Sequence, residues 1–297
     1  MNADNSILHK IITTLEHNQA GEFFLKTIRN LGFIHALHIF ESRLAVRKLR
    51  GRRTEFYEFY KEHLLAFSKV RDLLNDDLSK QTFDAVLQYR MTKDIRCLHD
   101  FITKSPYFIK EIMPPSKPEY FIDGGAYIGD TAKSFLNNDD YWRYNSSGGG
   151  GIYLWEFESE NVKSIYRNVR GFEKYVKVIP YAMWSREEIL NFSGSGAGAT
   201  ITETGSQTIQ AKSIDDVHKS DKITFIKMDI EGAEIEALKG AEQTIKAQKP
   251  KLAICIYHKP SHLFEIPLLI HEMMPEYKFY IRHHSDREWD TVLYATV

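Results

Sequence analysis

The segment FIDGGAYIGDTAKSFL, Phe121 to Leu136, restricts the fold of this chain more than any other stretch. An apolar run ends in Asp123, a glycine turn follows, and an amphipathic helix begins near Asp130. Glycine at 124, 125 and 129 allows a tight turn and close approach of backbone to a ligand, and the helix start offers free amide donors to a negative group. The spacing is not that of the dinucleotide-binding turn, G-x-G-x-x-G. Here Gly125 and Gly129 stand four apart, and Asp123 sits two before Gly125. From these residues alone the turn reads equally as a plain strand-to-helix loop or as a cofactor cradle.

Downstream, short apolar runs alternate with longer amphipathic ones, the pattern of a parallel sheet covered by helices. The candidate strands are Tyr120 to Ile122, Ile152 to Phe157, Val176 to Ile179, Thr224 to Met228, Leu252 to Tyr257, Phe279 to Arg282 and Thr291 to Ala295. These seven runs predict an α/β, doubly wound, mostly parallel sheet. Asn145 to Gly151 and Ser193 to Thr204 are rich in glycine and serine and are expected to be mobile loops.

Upstream, from Ile7 to about Ile112, apolar residues recur at helical spacing, as in Ile7, Ile11, Ile12 and Leu15 or Phe24, Ile28 and Leu31. Asp94 and Ser79 stand where N-caps are expected. Pro114, Pro115 and Pro118 stop the helical pattern. The expected division is a helical region over 1–115 and an α/β domain over 116–297.

With 297 residues the chain is long enough to bury a full core, as one large domain or two modest ones. Its 39 basic and 40 acidic side chains give a formal net charge of −1, so no global field favours nucleic acid or anionic membranes. A neutral or small partner is expected, and nucleic acid is not. Cys97 and Cys255 lie far apart without a second ligand at metal spacing, so neither a disulfide framework nor zinc is expected. The start MNADNSILHK is polar and no window reaches the roughly 18 to 20 apolar residues of a membrane span, which points to a cytoplasmic protein. The run RKLRGRR, Arg47 to Arg53, is the one dense basic patch. It reads as a solvated helix end or as a grip for phosphate on an anionic acceptor.

Several acidic and imidazole side chains fall where such sheets open. In YLWEFESEN, Glu158 follows the second strand, where a carboxylate accepts hydrogen bonds from ribose hydroxyls; the alternative is a solvated strand end carrying Glu156, Glu158 and Glu160. Its distance from the glycine turn exceeds the usual roughly 20 residues, which an insertion around NSSGGGG explains. Asp229 and Glu231 follow the fourth strand, as a proton acceptor for a hydroxyl or as carboxylates favoured at a helix start. His258 ends the fifth strand and is the other candidate base, or a structural histidine. His283, His284 and Asp286 are too weak a pattern to assign a metal. Asp215 reads as a turn or cap residue.

The segment FIKMDIEGAEIEALKGAE, Phe225 to Glu242, resembles the hallmark of the FkbM family of S-adenosylmethionine-dependent methyltransferases. Lys227, Asp229, Glu231, Gly232, Glu234, Leu238, Gly240 and Ala241 match its block K-x-D-x-E-G-x-E-x-x-x-L-x-G-A. Asp123, Gly125, Ala126, Gly129, Asp130 and Thr131 match its first block, D-x-G-A-x-x-G-D-T. The family's F-E-P is here Phe157, Glu158 and Ser159, with serine as the departure, and SIDD at Ser213 to Asp216 resembles its acidic pair before the fourth strand. The resemblance covers roughly 119–297 and leaves the helical first third unexplained.

The resemblance implies a Rossmann-like, seven-stranded methyltransferase sheet binding S-adenosylmethionine. It places the cofactor against the first-block residues, with Gly125 giving room for the methionyl part, and against Glu158. Tyr181 and Ala182, with Trp184, follow the third strand where such folds flank the adenine ring, although they read equally as core. It implies methyl transfer to a hydroxyl oxygen, with Asp229, Glu231 and His258 facing a small acceptor such as a sugar or nucleotide-linked sugar in polysaccharide or natural-product biosynthesis. The first 115 residues would cap the acceptor pocket or form a homodimer face. The rival from another class is a scaffold that keeps the nucleoside site without chemistry. A nicotinamide dehydrogenase is disfavoured by the spacing of Gly125 and Gly129.

Overall fold

The computed structural model describes residues 55–104, 106–142, 150–194, 200–202 and 204–297. The apolar periodicity from Ile7 to Leu31 and the RKLRGRR run lie outside these residues. The chain divides into two compact units, Met1–Leu64 with Leu87–Asp94, and Leu65–Val86 with Ile95–Val297. The expected helical periodicity is present where it is described, as α1 (Glu55–Glu62), α2 (Leu64–Leu73) and α3 (Asp77–Thr92). In the first unit Phe56 is buried and the Arg90 guanidinium lies 5.8 Å from its ring centre.

Within the second unit the seven expected runs all form strands of one sheet. They are β1 (Tyr120–Gly124), β2 (Gly151–Trp155), β3 (Val176–Ile179), β8 (Phe225–Met228), β9 (Lys251–Cys255), β10 (Lys278–His283) and β11 (Thr291–Thr296). Their order is β10-β11-β9-β8-β1-β2-β3, with β11 antiparallel to both neighbours and the rest parallel. Every residue of β8 and β9 is buried, as expected of central strands covered on both faces. The covering helices include α4 (Asp130–Leu136), α5 (Asp139–Trp142), α6 (Ser159–Asn168), α7 (Ile214–Val217), α8 (Glu234–Lys239), α9 (Glu242–Gln248) and α10 (His262–Met273). This is the doubly wound, mostly parallel sheet expected from the sequence.

A second, four-stranded sheet, absent from the sequence expectation, is made of β4 (Ala182–Met183), β5 (Glu188–Ser193), β6 (Thr200–Ile201) and β7 (Gln207–Lys212) in the order β4-β7-β5-β6. The expected loop Ser193 to Thr204 is corrected at its ends, because Phe192 pairs with Ile201 and Ser193 with Thr200, while residues 195–199 and 203 lie outside the described residues. Its two longer strands carry no buried apolar run, because β5 and β7 each bury only one residue and Ile189 is 75% exposed. Of the other glycine-rich stretch, residues 145–149 lie outside the description and Gly151 opens β2.

The helical expectation also ends early. Beyond α3 the chain makes two short 3-10 turns, Ile95–Cys97 directly after Asp94 and then His99–Phe101, and runs irregularly from Ile102 to Glu119. The reason is tertiary: this segment serves the open edge and face of the sheet. Ile102 bridges His283, Thr103 N–H donates to the His283 carbonyl at 2.8 Å, and Phe108 packs edge-on against Phe121 and Phe225. An unpaired strand edge is thereby covered.

Ser79 is not the cap of α3. Asp76 caps it, its Oδ1 accepting from Ser79 N at 2.6 Å. Ser79 is fully buried one turn inside, and its hydroxyl accepts from Ile281 N–H at 3.0 Å and from Arg282 Nη1 at 2.7 Å. Ser79→Ala strands the Ile281 amide and leaves Arg282 Nη1 with only the Ile281 carbonyl at 2.8 Å and Asp76 Oδ1 at 3.4 Å, so a loss of about 1–3 kcal/mol is expected in urea unfolding.

Candidate active site

The glycine turn takes its shape from three left-handed residues, Gly125 (φ 68°), Tyr127 (φ 48°) and Gly129 (φ 81°). At Gly125 a Cβ would lie 2.0 Å from the Asp229 carbonyl oxygen, so the loops after β1 and β8 pass in contact. Ala126 N–H donates to the Trp155 carbonyl at 3.0 Å, tying the same turn to the end of β2. Beneath it Asp123 is fully buried and paired with Lys227 Nζ at 2.9 Å. The ammonium also donates to the Gly124 and Gly125 carbonyls, both at 3.2 Å. Burial pushes the Asp123 carboxyl up to about 6 against the pull of Lys227, which leaves it ionised at neutral pH. Burial opposes the charge of Lys227 as well, but Asp123 and Asp229 outweigh it and hold the ammonium protonated.

Over the carboxyl ends of β1, β2 and β8 lies a cavity of about 870 Å³. Sites in open α/β sheets form at this edge. Of the residues singled out from sequence, Gly125, Asp130, Thr131, Glu158, Tyr181, Ala182, Asp229 and Glu231 all line it. Asp123, Ala126, Gly129 and His258 are not part of its wall, and neither is Trp184. Two residues that the sequence reading missed also line it, Tyr107 from the irregular segment and Asp290 from the β10–β11 turn. Neither sits in a periodic run or a recognisable spacing, so no local signal marks them.

The three glutamates after β2 separate cleanly. Glu156 is buried and its Oε1 accepts from Glu158 N–H at 2.8 Å, so it shapes the turn. Glu160 points outward and pairs with Lys163 at 2.6 Å. Glu158 precedes α6 without capping it, and its Oε1 is buried with no hydrogen-bond partner among the described residues. A buried, unpaired carboxylate oxygen in a cavity wall is a costly arrangement that a donor-bearing ligand relieves.

The opposite end of the cavity is an acidic corner. Asp229 Oδ1 accepts from the Tyr257 hydroxyl at 2.8 Å and Oδ2 from the Tyr107 hydroxyl at 3.2 Å. Burial raises both phenols, which keeps them protonated as donors. Behind them His258 Nε2 lies 3.3 Å from Asp229 and 3.6 Å from Glu231, while its Nδ1 lies 2.9 Å from Glu234. Glu231 adopts a left-handed φ of 54°, an unfavourable conformation for a residue with a side chain. Burial raises its carboxyl, His258 pulls it back, and Asp229 and Glu234 add to the rise. Burial and Asp229 likewise raise Asp290.

The remaining candidates have structural work. Asp215 accepts from Gln243 N–H at 3.0 Å and Thr244 N–H at 2.8 Å, capping the start of α9. His284 lies 2.7 Å from the Thr103 carbonyl and 2.8 Å from the Tyr294 hydroxyl, His283 is buried against Thr291, and Asp286 is exposed. Among the described residues no group of three or more histidine, cysteine, aspartate or glutamate side chains is arranged to hold a metal ion.

A doubly wound sheet with one reversed strand, a glycine turn after its first strand and acidic residues after its second and fourth is the architecture of a methyltransferase-type fold. The methyltransferase FkbM domain family matches residues 123–287, and the chain belongs to that family. Among solved structures the chain is similar to the methyltransferase FkbM from Methylobacillus flagellatus KT, with 28% identity and a TM-score of 0.68 over 80% of this chain. It spans 60% of that protein's length. Aeropyrum pernix fibrillarin, whose structure holds S-adenosyl-L-methionine, matches with 12% identity and a TM-score of 0.38 over 62% of this chain and 69% of its own. No curated protein matches the chain. No described helix is long and apolar enough to cross a membrane.

Proposed function

We propose that this chain transfers a methyl group from S-adenosylmethionine to a hydroxyl oxygen of a sugar or other small hydroxylated molecule, in polysaccharide or natural-product biosynthesis. The observation that carries the cofactor half is Glu158, which lines the same cavity as the Gly125 turn and whose Oε1 is buried without a hydrogen-bond partner among the described residues. A carboxylate there suits a ribose diol, because it accepts two hydrogen bonds at once. Gly125, Asp130 and Thr131 would hold the methionyl side, with Ala126 and Gly129 shaping the turn from behind. Tyr181 and Ala182 would flank the base. Asp123 contributes from below, by fixing Lys227 against the turn carbonyls. When bound, S-adenosylmethionine supplies the methyl group from its sulfonium.

The acceptor side belongs to Asp229, Glu231 and His258. A hydroxyl that gains a methyl group must lose its proton, and a carboxylate with a raised pKa is the better base near neutrality. Glu231 lines the cavity and is raised, so it receives the proton in this reading. Asp229, pinned by two phenols, orients the hydroxyl. Positioning donor carbon and acceptor oxygen within roughly 3–3.5 Å in line supplies much of the rate. The described wall carries six carboxylates and one cation, Lys227, which is already paired with Asp123. That balance favours an uncharged acceptor over a nucleotide-linked one.

The test is thermal unfolding with S-adenosylhomocysteine, which raises the midpoint when it binds only the folded state. An upward shift that Glu158→Ala abolishes is the expected result. Absence of a shift at millimolar ligand would overturn the cofactor assignment. Binding without turnover over a panel of hydroxyl acceptors would favour the scaffold.

A further inference from the structure

We propose that Glu234 is the positioning residue of this site: it ties down the turn that carries Glu231 and holds His258 as a fixed cation beneath the acidic corner, not as the base. The proposal rests on the methyl-transfer reading for the identity of the reaction, but its structural content stands on the buried cluster itself.

Glu234 belongs to the same sequence block as Asp229 and Glu231, yet it points the other way. It lies in the first turn of α8 and is fully buried. Its Oε1 accepts from Ile230 N–H at 3.0 Å and from Gly232 N–H at 3.4 Å, the two backbone amides on either side of Glu231. That turn needs an external tie, because Glu231 and Gly232 both have left-handed φ, 54° and 94°. Lys259 adds a second tie from outside, its Nζ donating to the Gly232 carbonyl at 2.8 Å.

The same carboxylate sits between two imidazoles, 2.9 Å from His258 Nδ1 through Oε1 and 3.2 Å from His262 Nδ1 through Oε2. Around His258 the charged and titratable neighbours are Glu234 on α8, Asp229 and Glu231 after β8, Asp290 in the β10–β11 turn, and the Tyr257 ring at 4.1 Å. His262 on α10 reaches it only through Glu234. Both ring nitrogens therefore face carboxylates. Carboxylates 2.9 to 3.6 Å from the two ring nitrogens favour the doubly protonated imidazole, which has no lone pair to take a proton from an acceptor. Burial opposes that charge, but Glu234, Asp229 and Glu231 outweigh it and raise His258 above its ordinary value. Glu234 is correspondingly held below the usual carboxylate range, its burial outweighed by His258 and His262. The cation offsets repulsion among the corner carboxylates.

The experiment is a pH titration of the full chain labelled with 15N-histidine, followed by ring nitrogen shifts, with His258 assigned by its loss in His258→Gln. The expected result is an imidazolium at pH 7.5 in the unsubstituted protein, and a midpoint at least about one pH unit lower in Glu234→Gln, a tenfold change in proton affinity. A purely structural role for Glu234 would leave that midpoint where it was. A neutral His258 at pH 7.5 overturns the proposal without any variant, which decides the matter even where Glu234→Gln fails to fold. An unchanged midpoint in a folded Glu234→Gln overturns it too. S-adenosylhomocysteine is added in parallel: failure to bind counts against the cofactor reading alone, since the protonation state of His258 is read independently.

Discussion

Lys227→Met is expected to lower stability by about 3–5 kcal/mol, read as a fall in the urea midpoint at unchanged slope. The size follows from what the substitution leaves behind. Asp123 is fully buried and Lys227 is 3% exposed, so removing the ammonium strands a carboxylate with no water to solvate it. The Gly124 and Gly125 carbonyls lose their donor in the same step. The double variant Asp123→Asn with Lys227→Met is expected to recover much of the loss, because replacing both members of a buried pair is often near neutral. A double variant no better than Lys227→Met would show that the carbonyl contacts, not the ion pair, carry the stability. A single variant within about 0.5 kcal/mol of the parent would contradict a buried, charged pair altogether.

Gly125→Ala is expected to weaken S-adenosylhomocysteine binding by at least about tenfold, which corresponds to about 1.4 kcal/mol. Two costs coincide at this residue. A side chain in the left-handed region is unfavourable by roughly 1–2 kcal/mol. The new methyl would also lie 2.0 Å from the Asp229 carbonyl oxygen, and backbone cannot give way as a flexible side chain does. The β1 and β8 loops must part, which disturbs the cofactor turn and the acidic corner together. Gly129→Ala is the internal control, since it carries a similar φ of 81° but meets Ile165 only at 3.3 Å. Calorimetric titration of both variants separates strain from collision. Equal, small losses in the two would refute the close passage of the loops.

The elements of the large sheet were legible because each central strand is buried on both faces and is therefore apolar along its length, as in FIKM of β8 and KLAIC of β9. The small sheet was not, because its longer strands β5 and β7 each bury a single residue and leave no such run. The same division holds in the site. Gly125, Glu158, Asp229 and Glu231 stand at strand ends, where local spacing marks them. Tyr107 and Asp290 come from irregular chain and reach the cavity only because distant segments fold onto the sheet.

Sequence by itself therefore determined the seven strands, the glycine turn and the family blocks, since burial patterns and backbone requirements are written along the chain. It singled out Glu158 by its place after the second strand, but could not show that Glu156 shapes the turn or that Glu160 faces outward. Nor could it pair Asp123 with Lys227, or place His258 beneath the acidic corner between Glu234 and Asp229. Those assignments were made by the tertiary structure. A carboxylate takes its role from which donors lie within about 3 Å and whether water reaches it, and both are set by residues remote in sequence.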